Sequence, residues 1–415
     1  MEHYPPLFSH LQQAILSENA ISFRDFMNMV LYAEEEGYYQ QSRTKVGVQG
    51  DFMTSPHAHP LFNQLLANGV LQLSSIFHRI LHPAIPFTIV EVGAGEGELA
   101  AAILSAWLEG KESKHLPLRY TLIEKSQHHR KKQMEKLLPY ENEAIQISWL
   151  DSWDSLMDDP ISGIILSNEL FDALPTHLVS WEGGEPYELY VGIADDDENF
   201  RWIKKALPPP LSQRLHEWNI HSQPNERRFC ISLDAEKMLT TMAQSLSQGW
   251  ILSIDYGDVV ENLLDSKLYP PQYSIRCYEA HRLYTDPLQR VGYRDLTSDV
   301  NFTQLIDAGS RANLQSIAYT TQASFLLQQG IGEIYAAMQQ EALYDLKVDF
   351  ELPKVRSLFD LDSNGTRFKF LLQGKGWPTL DWESFLDVWK PLSMGEMEEH
   401  IPFMPWGGNA NFLKL

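Results

Sequence analysis

The stretch Phe87-Thr88-Ile89-Val90-Glu91-Val92-Gly93-Ala94-Gly95-Glu96-Gly97-Glu98-Leu99 decides how the rest of the chain is read. Its first six residues, mostly β-branched or aromatic, predict a buried strand. Three glycines at alternate positions then predict a sharp turn, after which residues 99–108 take up helical spacing. Glycine is needed where the backbone must bend tightly and lie against a ligand with no Cβ in between. A strand, a glycine turn and a helix open many nucleotide-binding α/β folds, so the flanking residues must separate the alternatives.

A dinucleotide turn carries a third glycine, or an alanine, three residues after the second. Here that position is Glu98, and Glu96 lies inside the turn. Carboxylates at that place disfavour a pyrophosphate but suit S-adenosyl-L-methionine, whose sulfonium and amino group are cationic. A phosphate loop fails as well, because no Lys-Ser/Thr pair follows. The expected cofactor is therefore S-adenosyl-L-methionine, held by Glu91, Gly93, Ala94, Gly95 and Gly97. A second strand at 120–124 ends in Glu124, placed to accept both ribose hydroxyls, each charge-assisted bond contributing roughly 1.5–3 kcal/mol. A third ends at Leu150-Asp151-Ser152, where Asp151 is the candidate acceptor for the adenine amino group.

Outward from the turn, apolar runs at 87–92, 120–124, 145–150, 161–167 and 250–255 alternate with helices beginning near Gly97, Gln127 and Asp234. This is the pattern of a parallel sheet covered by helices. Gly249 reads as the stop signal of the last of those helices. Segments 187–193 and 200–206 flank the acidic turn Asp195–Asn199 and predict an inserted hairpin, with Pro208-Pro209-Pro210 as a stiff connector. Residues 256–300 lack periodicity and predict a long functional loop or lid, and further strands are expected at 315–319 and 367–373. Upstream, residues 7–82 read as mostly helical around a non-helical loop at 47–56. The expected organisation is an N-terminal helical cap (1–85), a catalytic domain (86–375) with an insertion at about 180–230, and a tail (376–415) holding Trp377, Trp382, Trp389 and Trp406.

Composition removes other classes. With 415 residues, 44% of them hydrophobic, the chain can bury a large core. A net charge of −22 repels phosphate backbones and leaves nucleic-acid binding without an electrostatic source. Cys230 and Cys277 are the only cysteines, too few for a disulfide framework or a Cys-rich zinc site. His57 and His59 have a metal-like spacing but no ligand partner nearby in sequence, so no metal is expected. There is no signal-like or transit-like N-terminus and no apolar run near the ~20 residues needed to cross a bilayer. A cytoplasmic, membrane-free protein is expected, or one of the mitochondrial matrix in a eukaryote.

The chain resembles the MidA-like methyltransferase family. The matching segments are Gly50–Pro56, the Glu91–Gly97 turn, Ser167-Asn168-Glu169-Leu170-Phe171-Asp172-Ala173-Leu174-Pro175 and Ser253–Gly257. They continue with Arg276-Cys277-Tyr278 and His281, then Asp295-Leu296-Thr297 with Val300 and Phe302, and end at Thr321-Gln322-Ala323 with Phe325-Leu326. The resemblance implies an α/β class I S-adenosylmethionine-dependent methyltransferase, a Rossmann-like seven-stranded sheet with one antiparallel strand and a helical N-terminal cap. It adds Asp51 and Thr54 to the cofactor-binding residues. Eukaryotic members are mitochondrial complex I assembly factors that dimethylate an arginine, so the resemblance also implies a protein partner with an exposed arginine. The sequence departs from the family pattern at His57-Ala58-His59, Asn63-Gln64, Asp299, Asn301 and Asn364-Gly365-Thr366.

Ligands bind outside the carboxyl ends of parallel strands, so Asn168, Glu169 and Asp172 are expected to face the transferred methyl group. A guanidinium stays protonated and delocalised, and a carboxylate that pairs with it can fix its plane and localise density on one nitrogen. Glu169 is the candidate for that pairing, with Asp172 or Asp255 as second acid and proton acceptor. Arg276, Tyr278 and His281 are candidates for lining a substrate channel. Two rivals remain at this level: a methyltransferase for a small molecule or RNA, and an assembly factor that binds the cofactor without turnover.

Overall fold

The side chains of Phe87–Val92 alternate between two cores, and this computed structural model is built around that division. It describes residues 3–41, 59–80, 85–111, 113–195, 198–362 and 364–376. All six residues of the strand are buried. Phe87 and Ile89 join one apolar cluster while Val90 and Val92 join another, as a period of two requires. The strands of the large sheet are β1 (Phe87–Val92), β2 (Leu118–Ile123), β3 (Ile145–Leu150), β4 (Ile161–Asn168), β5 (Leu246–Asp258), β6 (Gln315–Thr321) and β7 (Phe368–Lys375).

Their order is β3-β2-β1-β4-β5-β7-β6, with a two-residue strand, Val300–Asn301, added parallel to the end of β5. Only β7 runs antiparallel to its neighbours on that path. The class I fold with its single reversed strand is thereby present. The strand order changes direction between β1 and β4, which opens a crevice at their carboxyl ends. Helices Pro60–Ile80, Glu98–Glu109, Gln322–Gln328 and Leu346–Phe359 cover one face. Helices Leu233–Gln244 and Phe302–Arg311 cover the other.

Several sequence expectations change. Gly249 does not stop a helix: that helix ends at Gln244, and Gly249 lies inside β5, opposite Gly163 of β4. Pro209 is not part of a linker but opens helix Pro209–Glu217, where a missing N–H and a fixed φ are well tolerated. Residues 256–300 contain a three-stranded antiparallel sheet (Ile275–Glu279, Arg282–Tyr284 and Asp295–Ser298) with Ile275, Cys277 and Leu296 buried. Its strands are only three to five residues long, too short to show a period among turn-forming neighbours. The hairpin Glu185–Ile193/Phe200–Ala206 is present but belongs to a five-stranded sheet with His177–Glu182, Arg228–Ile231 and Ile21–Ser22. Helices Pro5–Glu18 and Phe23–Tyr32 pack on these smaller sheets in a core of their own, whereas Pro60–Ile80 packs on the large sheet. The loop at 47–56, with Asp51 and Thr54, the tail from 377, and His57 lie outside the described residues.

Gly163 and Gly249 are both held at positive φ, 151° and 136°. A Cβ on Gly163 would stand 2.0 Å from the Thr88 carbonyl oxygen, and one on Gly249 would stand 1.8 Å from that of Gly163. Neither backbone can retreat without breaking the ladder between β1, β4 and β5. A Gly163→Ala variant is therefore expected to lose at least about 2 kcal/mol of stability, read from its urea unfolding midpoint. A midpoint equal to that of the parent would contradict the close approach.

Candidate active site

The glycine turn leaves β1 with Gly93, Gly95 and Gly97 all left-handed, at φ 70°, 55° and 84°. Gly97 caps helix Glu98–Glu109, and Ala94 packs at the edge of the first core. At Gly95 an added Cβ would meet nothing within 4 Å, so the turn presents an open backbone face there. Across the register β1 lies beside β4, where Val92 pairs with Ser167 and Asn168 follows. Asn168 Oδ1 is buried without a protein hydrogen-bond partner. A bare backbone cradle beside an unsatisfied amide oxygen fits a nucleoside-type cofactor.

The turn is fastened by a residue that sequence reasoning missed. Gln133, fully buried on helix Gln127–Leu137, donates through Nε2 to the Gly95 carbonyl at 2.8 Å and to Glu124 Oε2 at 3.3 Å. Its own Oε1 accepts from Trp149 Nε1 at 3.1 Å. Gln133 thus ties the turn to the ends of β2 and β3. Nothing in the sequence separates it from its exposed polar neighbours in that helix. Glu124 also accepts from the Ser126 amide at 2.8 Å, which fixes the carboxylate at the strand end. Asp151 is largely exposed and pairs with Arg130 at 2.7 Å.

The two turn carboxylates are not bare. Glu96 pairs with Lys132 and Glu98 with Lys136, both lysines coming from the same helix as Gln133. Their repulsion of a diphosphate is therefore weaker than sequence alone suggests, and the cofactor must be decided by shape and relationship. Glu91 differs again. It is buried, accepts from the Tyr120 hydroxyl at 2.6 Å, and burial pushes its carboxyl up to about 7.

At the ends of β4 and β5 the predicted acids do converge. Glu169 follows β4 with φ 51°, an uncommon left-handed conformation for a non-glycine residue, and its amide donates to the Ile254 carbonyl at 2.9 Å. Asn168 Nδ2 lies 3.4 Å from Glu169 Oε1. Asp255 is fully buried. Its carboxylate accepts three backbone amides: Phe171 (2.9 Å), Asp172 (3.2 Å) and Tyr256 (2.9 Å). Both oxygens are engaged, so the geometry gives Asp255 to the turn and leaves Asp172 as the available second acid. Asp172 accepts from the Tyr256 hydroxyl at 2.5 Å, its Oδ1 has no hydrogen-bond partner, and burial pushes it up to about 6.

The channel candidates separate. Arg276 is buried, pairs with Asp299 at 2.8 Å and stacks over Tyr256. His281 stands exposed in the turn between two short strands at φ 61°. Departures from the family pattern also find local partners: Asp299 holds Arg276, and Asn301 caps helix Phe302–Arg311. His59 accepts the Leu61 amide through Nδ1 at 3.1 Å and lies 3.7 Å from Glu351 through Nε2. Among the described residues no group of three or more His, Cys, Asp or Glu is placed to hold a metal.

A seven-stranded sheet with one reversed strand, a glycine cradle at the switch point and acids at the next strand end define a class I methyltransferase. A family profile described as "Putative S-adenosyl-L-methionine-dependent methyltransferase" matches residues 69–320, and the chain belongs to this MidA-like family. The Drosophila melanogaster protein arginine methyltransferase NDUFAF7 homolog, mitochondrial, is 29% identical over 396 residues, covering 89% of this chain and 85% of that one. Human protein arginine methyltransferase NDUFAF7, mitochondrial, is 28% identical over 356 residues, covering 79% and 74%. A crystal structure of a "likely methyl transferase" from Burkholderia thailandensis bound to S-adenosyl-homocysteine superposes with a TM-score of 0.77 at 27% identity, covering 91% of this chain and 94% of that one. S-adenosyl-L-methionine is the cofactor.

Two tests follow from this geometry. Gly95→Ala should fold with a cost of about 1–2 kcal/mol for a left-handed alanine, yet weaken S-adenosylmethionine at least tenfold in calorimetry, because its methyl would fill the cradle. An unchanged affinity would remove the turn from the site. For Glu91 the sign is fixed by its raised carboxyl. The native state keeps a proton that the unfolded chain releases, so stability is full below the unfolded value near 4.5 and falls as pH rises through 7. The drop is on the order of 3 kcal/mol. Glu91→Gln should flatten that part of the stability–pH curve measured by urea unfolding, and an unaltered slope would contradict the buried acid.

Proposed function

We propose that this methyltransferase acts on an arginine side chain of a protein partner, with Glu169 as the carboxylate that binds the guanidinium. The observation that carries the reading is the backbone of Glu169, held at φ 51° at the carboxyl end of β4. Strain of this kind costs about 1–3 kcal/mol and persists where function requires a side chain to be aimed. The names of the Drosophila and human relatives, both protein arginine methyltransferases, support the same substrate class. A respiratory complex I subunit is the candidate partner, and the chain's charge of −22 suits a basic segment over RNA.

In this reading Gly93, Ala94, Gly95, Gly97, Glu124 and Asp151 hold the nucleoside and amino-acid parts of the cofactor, with Asp51 and Thr54 completing the set. When bound, S-adenosylmethionine supplies an electrophilic methyl group on a sulfonium. The protein's part is alignment and exclusion of water. Holding nucleophile and methyl in line contributes on the order of 7–11 kcal/mol. Glu169 pairs with the guanidinium and fixes its plane, and Asn168 buttresses Glu169. Asp172 is buried beside Tyr256, and its free Oδ1 is placed to take the proton that the product nitrogen sheds. Asp255 positions both acids through the amides of the turn.

The test is Glu169→Gln, assayed with labelled methyl donor and cell extract while cofactor affinity is measured by calorimetry. Label in protein should fall at least a hundredfold with cofactor affinity within a factor of three. Retained labelling, or lost cofactor binding, would sink the role given to Glu169. Parent enzyme that labels small molecules in place of protein would overturn the substrate class.

A further inference from the structure

We infer that the tip of the helical hairpin formed by Ile331–Ala342 and Leu346–Phe359 docks the protein that carries the methyl-accepting side chain, through an apolar contact surrounded by acids. This rests on the protein-substrate reading above. Leu343, Tyr344, Leu346 and Phe350 are 70%, 93%, 74% and 75% exposed, and among the large apolar side chains of the described residues only Leu16 elsewhere reaches 70%. Leu346 and Phe350 are one helical turn apart and share a face, with Leu343 and Tyr344 in the connection just before them. Four large apolar groups gathered within eight residues mark an interaction surface, whereas single exposed leucines do not.

Position and charge select the occupant. Glu351 of the hairpin lies 3.7 Å from His59, which directly precedes helix Pro60–Ile80. The first turns of that helix line a groove of about 560 Å³ together with Glu98, the first residue after the glycine turn. The helix that carries Leu346 and Phe350 thus meets, through Glu351, the end of helix Pro60–Ile80 that borders this groove and the glycine turn. Residues 341–351 hold Glu341, Asp345, Asp349 and Glu351 against Lys347, and one turn on Lys354 pairs with Glu351 at 2.9 Å, which leaves Glu341, Asp345 and Asp349 as the acids of the rim. A second copy of this chain, at −22, is repelled by that rim. So is the chain's own segment 377–415, which carries six acids against two lysines. A protein presenting apolar side chains among lysines and arginines is attracted.

The experiment uses labelled methyl donor and the fraction of a cell extract retained on a cation exchanger. The quadruple variant Leu343→Ser/Tyr344→Ser/Leu346→Ser/Phe350→Ser removes only exposed side chains. It should label protein at least tenfold more slowly at limiting acceptor and recover as acceptor is raised, with cofactor affinity and melting temperature unchanged. Glu341→Lys/Asp349→Lys, also exposed, should slow labelling and reduce its sensitivity to salt. If the parent labels protein and both variants match it, docking at this tip is wrong while the substrate class stands. If the parent labels no protein, the substrate reading falls and the docking with it. A parent dimer that the serines dissociate would assign the patch to a second copy. Amide protection at 343–350 that disappears on removing residues 377–415 would assign it to the chain's own tail. Either result overturns the proposal.

Discussion

One buried carboxylate organises the catalytic end of the sheet. Asp255 accepts amides from Phe171, Asp172 and Tyr256 and has no contact with solvent. A buried charge of this kind is tolerated only when its oxygens are filled by donors, and the loss of those donors would leave it uncompensated. The turn after β4 is consequently held to the end of β5, and the left-handed Glu169 is over-determined from both sides. Burial, then the neighbouring charges of Asp172 and Glu169, push Asp255 above the usual carboxylate range, while the amides of Asp172 and Tyr256 pull in the opposite direction. The amides satisfy the ionised form of Asp255 and leave Asp172, whose second oxygen is unfilled, as the acid with room to accept a proton.

The cofactor end obeys a different logic. There the carboxylates near the surface are matched by lysines, and the one that is buried, Glu91, is matched by a phenol. Glu96 and Glu98 therefore brace the first two turns of the molecule's central βα unit against helix Gln127–Leu137 as much as they colour its electrostatics. Gln133 stands between them and makes the brace directional, since an amide can donate to Gly95 and accept from Trp149 at once. The shape of the cradle is thus a property of two helices and three strands.

The sheet was legible because its central strands are buried on both faces and read as continuous apolar runs, as Phe87–Val92 does, while the edge strand Ile145–Leu150 alternates buried and exposed residues; both begin and end where the sequence places them. Glycines at the turn were legible because only glycine occupies three left-handed positions in five residues cheaply. Gly249 was misread because a glycine required by sheet packing leaves the same mark as a helix stop. The short strands at 275–298 were hidden for want of length. The acids at 168–172 could be named in advance, since strand ends face the crevice. Their division of labour could not, because it depends on Tyr256 and on which amides the turn of the chain delivers to Asp255.

The two smaller sheets bear on the same point. Tyr32, at the end of helix Phe23–Tyr32, donates to the Ala173 carbonyl at 2.9 Å, and Arg24 pairs with Asp234 at 2.8 Å. The Ser298 amide meets the Asp172 carbonyl at 3.0 Å, and Ser232 Oγ meets that of Pro175 at 2.8 Å. The segment 172–175 is thus gripped by the N-terminal helix, by the 275–298 sheet and by the cap of helix Leu233–Gln244. An antiparallel insertion that merely decorated the fold would not need to touch this stretch at all. Here helix Phe23–Tyr32 and the 275–298 sheet, which share a core, close on the residues following Glu169 through these hydrogen bonds. The additions to the class I sheet therefore stand as a second wall beside these acids, the arrangement that the proposed methyl transfer calls for.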